Sequence, residues 1–246
     1  MYDPKGNGRD KAAETVRFAE AAPPPHLRHI VHRFLEIRTS TPLREDYRFH
    51  ALPDACTYAV FDQINPKIAG ITCLNATSEE FNLGREFHFV NIRFYPGVWH
   101  RSVEPTSYGQ VKTAYQGQLS LTQTNKRLRT GDFKAKQDML VGFVEALTRS
   151  GHVVENRIAE RILHHIDEIH SVADMADLCA LSSRQLQRVL KQTTGFRPHD
   201  FLKILRLQLS LRDEPSLSYA DQSHFIHSFR NATGYTPGRY ARKFDV

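Results

Sequence analysis

Ser183, Arg184, Gln187, Arg188 and Lys191 recur at the three-and-four spacing that places side chains on one face of a helix. These residue types suit a duplex. Arginine pairs bidentately with guanine, glutamine with adenine, and the remaining cations meet phosphates. A weaker set lies further on, at Gln222, Ser223, His227 and Arg230. Arg93, Trp99, His100 and Arg101 cluster near one stretch end, where a cation beside an aromatic ring suits a small anionic ligand. An ordinary strand exit with one buried tryptophan is the plainer reading of that cluster.

Other chemistry finds little support. His26, His29 and His32 lie three apart, and His164, His165 and His170 cluster. On a helix the first three would drift around the axis and share no coordination point, so no metal is expected. Cys56, Cys73 and Cys179 form no CxxC pair and read as small buried hydrophobes. The chain has no GxSxG, Walker loop, HExxH or dinucleotide fingerprint. Neither an enzyme nor a cofactor is expected.

The elements that must position these residues fall into two periods. TYAVFD (57–62), KIAGITCL (67–74) and EFHFVNIRF (86–94) are short, β-branched or aromatic runs between turn residues. In the last, Phe87 and Phe89, then Ile92 and Phe94, alternate with polar residues, with a slip at Val90–Asn91 that reads as a bulge. HLRHIVHRFLEI (26–37) carries a helical stripe and equally suits a strand near its end. From 133 the period turns helical: Met139, Leu140, Phe143, Val144 and Leu147 share one face of 133–149. The polar start, closing in AAPPPH, reads as a flexible lead-in over 1–25. A β-rich regulatory part over 26–130, a linker or dimerisation helix over 131–152 and a helical part over 153–246 complete the expected division.

Sliding the tail by 39 residues exposes a repeat. Gly195 falls over Gly234, Phe196 over Tyr235, Pro198 over Pro237, Phe201 over Tyr240, and Leu186 and Leu190 over Phe225 and Phe229. The first copy is complete. Val172, Met175, Ala176 and Cys179 mark a short helix, and Ala180–Leu181 a tight turn. Ser182 with Gln185 then forms a capping box at the head of a second helix over 183–193. In the second copy the same shift puts Pro215 in the middle of the segment that should brace the helix, where a proline costs about 3 kcal/mol.

LSSRQLQRVLKQTTGFRPHDFLKILRLQ (181–208) and YADQSHFIHSFRNATGYTPGRY (219–240) resemble the DNA-binding domain of AraC/XylS-type transcription regulators. The resemblance covers about 155–243. It implies two helix-turn-helix units joined by a long helix and binding to promoter or operator DNA. Ser183, Arg184, Gln187 and Arg188 match groove-facing positions of the first unit, and Gln222, Ser223, His227 and Arg230 those of the second. His227 stands where the family usually has arginine, and the segment before the second signature is shorter than usual. HALPDACTYAVF (50–61) and FVNIRFYPGVWH (89–100) resemble, more weakly, an N-terminal sensory domain of such regulators.

The expected fold is therefore α+β: an N-terminal β-rich, cupin-like barrel or sandwich, followed by an all-α part with one complete and one truncated helix-turn-helix. Net charge +6 and pI near 9.3 suit a nucleic-acid binder. The helical tail is the more basic: residues 171–246 hold 11 Lys/Arg against 7 Asp/Glu, and residues 1–170 hold 22 against 20. Candidate partners are double-stranded DNA, a small-molecule effector, a second copy of the chain and RNA polymerase. No membrane is expected, and the cytoplasm is the expected location. The alternative is a degenerate relative that acts through protein contacts or as a ligand-binding module, with weak or no specific DNA binding.

Overall fold

Strand β5 (Thr57–Asp62), as anticipated, sets the pattern of the first half, because both of its faces are covered. The computed structural model describes residues 2–11, 13, 15–212 and 222–245. In chain order the strands are β1 (Asn7–Asp10), β2 (Val16–Ala21), β3 (Val31–Thr39), β4 (Tyr47–Ala51), β5, β6 (Ala69–Cys73), β7 (Glu79–Gly84), β8 (His88–Phe94) and β9 (Ser107–Tyr108). Helices α1 (Leu121–Leu128), α2 (Phe133–Arg149), α3 (Arg157–His164), α4 (Val172–Leu178), α5 (Ser183–Thr193), α6 (Pro198–Arg212), α7 (Gln222–Thr233) and α8 (Pro237–Lys243) follow. A last strand, β10 (Phe244–Asp245), closes the order. The fold is α+β, a two-sheet β-rich half followed by helices.

The six-stranded sheet runs β2-β3-β8-β5-β6-β9 and the four-stranded sheet β10-β1-β4-β7. Between them lie inward residues of both, such as Phe18, Ile37, Phe49, Phe81 and Phe89. The other face of the six-stranded sheet is covered by helices. Ala59, Phe61, Val90, Ile92 and Phe94 form one core with Leu121 and Leu128 of α1 and Leu140, Phe143, Val144 and Leu147 of α2. The apolar stripe of 133–149 is thus packed on this sheet. Asp132 caps α2 by accepting from Ala135 N at 2.9 Å.

Three expectations are corrected. Pairing of β8 with β3 and β5 runs continuously through Val90 and Asn91, and the one irregularity against β3 lies between Val31 and Arg33. The apparent slip arises because Val90, Ile92 and Phe94 face the helices while Phe89, Asn91 and Arg93 face between the sheets. Residues 26–37 begin with a short 3-10 turn at Pro25–Leu27 and continue as β3, whose apolar run is buried on both faces. The start of the chain is not a loose lead-in. Tyr2 is buried in the core of the helical half with Ile162, Leu163 and Met175. Lys5 N donates to Gln208 Oε1 of α6 at 2.7 Å, and Gln208 Nε2 returns a bond to Lys5 O at 3.1 Å.

The helical half is organised as its periodicity requires. Ile162, Leu163, Ile166 and Ile169 turn inward with Met175, Ala176, Leu186, Leu190, Phe201, Leu202 and Leu205. Among the described residues no helix is long and apolar enough to cross a membrane.

One ion pair fastens α2 to the sheet. Glu36 Oε1 accepts from Lys136 Nζ at 2.7 Å and from His88 Nε2 at 2.9 Å, with both Glu36 and Lys136 buried. Burial alone would push the Glu36 carboxyl up, but the hydrogen bonds from His88 and Lys136 outweigh it and hold the group at about 2. A depressed native pKa stabilises the fold above the ordinary value of 4.5 and loses that contribution as pH falls towards 2. Glu36→Gln is therefore expected to cost about 3 kcal/mol at neutral pH, because it strands the Lys136 charge. It should also flatten the acid limb of stability between pH 4.5 and 2 in urea titrations. An unchanged acid limb contradicts this account.

Candidate nucleic-acid interface and interior cavity

The first helix pair is built from local rules. Ser171 caps α4 by accepting from Asp174 N at 3.1 Å. Ala180 then takes a left-handed conformation (φ 52°) that turns the chain sharply. Ser182 Oγ accepts from Gln185 N at 3.3 Å while Gln185 Oε1 accepts from Ser182 N at 2.9 Å, the reciprocal capping box. Leu186 and Leu190 of α5 are buried beside Met175 and Ala176 of α4. Ser183, Arg184, Gln187, Arg188 and Lys191 are all exposed on the opposite side. Lys191 Nζ donates to Gly195 O at 2.8 Å, which steadies the helix end and leaves two of its protons for another acceptor.

Gly195 (φ 83°) stops this unit against the β-rich half. The left-handed backbone there requires glycine, and Tyr108 Oη and Arg101 Cζ lie 2.8 and 3.0 Å from where a Cβ would stand.

In α7, Ser223, His227 and Arg230 are exposed while Phe225 and Phe229 are buried. Asn231 Nδ2 donates to His227 Nε2 at 3.0 Å. The side chain of Gln222 and the whole segment around Pro215 lie outside the described residues. Ile226, 39% exposed, stands among the outer residues. Phe225 and Phe229 share a cluster with Leu207 and Leu211 of α6, whereas Leu205 and Leu209 belong to the first unit's core.

Arg93, Trp99, His100 and Arg101 do not converge. Trp99 is a core residue, tilted against Phe94 and donating to Glu104 O at 2.9 Å. His100 is exposed and pairs with Gly151 O. Arg101 lies over the Tyr108 ring, where it meets Gly195. Arg93 alone lines the cavity of about 110 Å3 between the two sheets. The sequence set was misleading because residues adjacent in a strand exit point in different directions.

The cavity walls are mostly apolar, with Phe18, Leu35, Phe49, Val60, Leu74 and Phe81 among them. Their polar exceptions are informative. Arg93, 2% exposed, donates to Pro4 O at 2.7 Å and to His32 Nδ1 at 3.2 Å. Its Nε lies 3.9 Å from Asp54 Oδ2 and makes no hydrogen bond. Asn91 Oδ1 and Asn7 Nδ2, on residues of the same wall, are also buried without a partner. Asp54 is fully buried, accepts from Tyr58 Oη and from Cys56 N, and burial raises its pKa, partly offset by Arg93. His32 donates to Asp3 Oδ1 at 2.7 Å, and burial lowers it to about 4, so it is neutral near pH 7. Asn91 was legible only as a polar position at period two, which in a one-sided strand faces water; Arg93 was singled out, but beside neighbours that point elsewhere.

Among the described residues no group of His, Cys, Asp and Glu is placed to hold a metal. His26, His29 and His32 pair separately with Glu145, Glu155 and Asp3.

Residues 19–107 match the family described as "Domain of unknown function (DUF6597)". A curated relative, the HTH-type transcriptional activator RhaS of Escherichia fergusonii, is 34% identical over 93 residues. That match covers 33% of this chain and spans only 34% of the relative. The ToxT structure from Vibrio cholerae in its P21 form is 10% identical with a TM-score of 0.43, covering 95% of this chain and 100% of that one. Unsaturated fatty acid bound wild-type ToxT from Vibrio cholerae is 11% identical with a TM-score of 0.41, covering 93% and 95%.

Asn91→Leu removes an unpaired buried carbonyl and fills space, so it is expected to raise unfolding free energy by about 1 kcal/mol. A clear loss of stability in urea unfolding would mean that Asn91 has a structural partner after all.

Proposed function

We infer that this AraC/XylS-like chain is a transcription regulator that binds promoter DNA mainly through α5. The observation that carries the reading is the outer face of that helix. Five residues suited to bases and phosphates stand exposed together on a helix whose own cap, turn and inward leucines hold it rigid. Similarity over 93 residues to a relative named as a helix-turn-helix transcriptional activator supports it. Arg184, Gln187 and Arg188 read base edges, and Lys191 meets a phosphate with its remaining donors. Ser223 and Arg230 of α7 act as backbone anchors. His227 of the same helix shares a hydrogen bond with Asn231.

The cavity supports an effector site in the same molecule. Apolar walls interrupted by a few polar residues, Asn7, Asn91 and Arg93 among them, suit a compact, mainly apolar molecule with one polar end. A cavity of this size takes a body of roughly benzene's bulk. This makes ligand binding the second activity of the chain rather than a rival to the first.

In-vitro selection of bound DNA followed by mobility shift tests the main reading. Arg188→Ala is expected to weaken binding by about 1–3 kcal/mol, roughly 5- to 150-fold, and to relax preference at one base pair. Lys191→Ala should weaken all sequences alike and lower the salt slope by about one. If Arg188→Ala leaves both affinity and base preference intact, α5 is not the reader.

A further inference from the structure

We propose that the β-rich half of the chain braces α7, so that this helix is held in place by the sheets. In the first unit the inward leucines of α5 are covered by α4, a helix of the same unit. The 39-residue register assigns the corresponding place in the second unit to a segment interrupted by Pro215.

Among the described residues, Phe225 and Phe229 share their cluster with Leu207 of α6, Tyr240, Phe244 and Leu52. Leu52 is fully buried and belongs to the β-rich half, directly after β4. The rings form a continuous path from helix to sheet. Phe225 meets Phe229 at 5.6 Å, Phe229 meets Tyr240 at 5.5 Å, and Tyr240 meets Phe244 at 4.9 Å. His50 of β4 then stacks on Phe244 at 4.8 Å.

Backbone bonds repeat the attachment at three places. Ser78 N, just before β7, donates to Ala232 O in the last turn of α7 at 2.7 Å, satisfying a carbonyl that a helix end otherwise leaves open. Strand β10 pairs antiparallel with β1 through Arg9–Asp245 and Asp10–Phe244. Lys11 N donates to Lys243 O at 3.1 Å, and Lys11 Nζ to Ala241 O at 2.8 Å. No comparable bond from the sheets reaches the backbone of α5 among the described residues.

The posture of the second helix is therefore conditional on docking, while the first unit carries its own support. Contacts of α7 with DNA and contacts between the two halves belong to one equilibrium. The DNA arm of the test rests on the functional reading above; the exchange arm does not.

Hydrogen exchange is measured on the full chain, on a variant lacking residues 244–246, and on Leu52→Ala, which leaves the β10 pairing in place. In both variants the amides of 222–233 are expected to exchange at least about tenfold faster, with those of 183–193 unchanged. Equal protection of α7 in all three proteins, or parallel loss of protection in α5 and α7, overturns the proposal. Nuclease footprints on the selected DNA then separate the two readings. Faster exchange with a shortened footprint supports both. Faster exchange with an unaltered footprint keeps the brace and removes α7 from the DNA contacts.

Discussion

Strand β1 is the constraint on which the rest of the molecule depends. A backbone segment lying between two edges must satisfy donors and acceptors on both sides. Here one side pairs with β4 and the other with β10, the two ends of the chain thus meeting in one sheet. Just ahead of it, Lys5 exchanges two hydrogen bonds with Gln208 of α6, and Tyr2 lies in the helical core while donating to Asp54 O at 2.7 Å. Gly6 and Asn7 also wall the cavity. Ten residues that look like a polar leader thereby join the sheets, the cavity and the helices. A Cβ at Gly6 would lie 2.6 Å from Tyr58 Oη and 2.7 Å from Arg93 Nη2, so even the residue type at that crossing is dictated by close approach.

Two buried polar groups divide the work of holding the β-rich half. Glu36, Lys136 and His88 lie on the helix side of the six-stranded sheet, where every partner is protein and the charges are matched. Arg93, Asp54, Tyr58 and His32 lie on the cavity side, where the match is incomplete. An interior normally pairs its buried polar atoms, because leaving one unpaired costs about 1–3 kcal/mol. Three of the buried polar atoms without a partner, on Asn7, Asn91 and Arg93, belong to residues of the cavity wall. Neighbouring residues of one strand, Ile92 and Arg93, thus serve a core and a cavity respectively, according to the side on which each emerges.

The helical half was legible because its signals are local. The capping box at Ser182 and Gln185, the turn before it, and leucines four apart lie within a dozen residues, and each rule acts over one or two helical turns. The same holds for α2, whose 133–149 span was read correctly, and for β5. Residues 26–37 were ambiguous because a run buried on both faces has no single period. Asn91 was passed over for the same reason: in a sheet covered on both sides a polar residue can point inward. Tyr2, Arg9 and Phe244 gave no signal at all, since their partners lie 52 to 236 residues away along the chain.

By itself the sequence determined the α+β order of elements, the repeat in the tail and the exposed basic face of α5. Periodicity, caps and turn residues are properties of the chain at short range, and they specify an element wherever it is placed. Only the tertiary structure decided which side of each strand became interior, which arginine reached the cavity, and what supports the second half of DEPSLSYADQSHFIHSF (213–229). That stretch keeps the inward Phe225 and Phe229 that its repeat requires. The surface that buries them includes Leu52 and Phe244, and no local rule could place those side chains together.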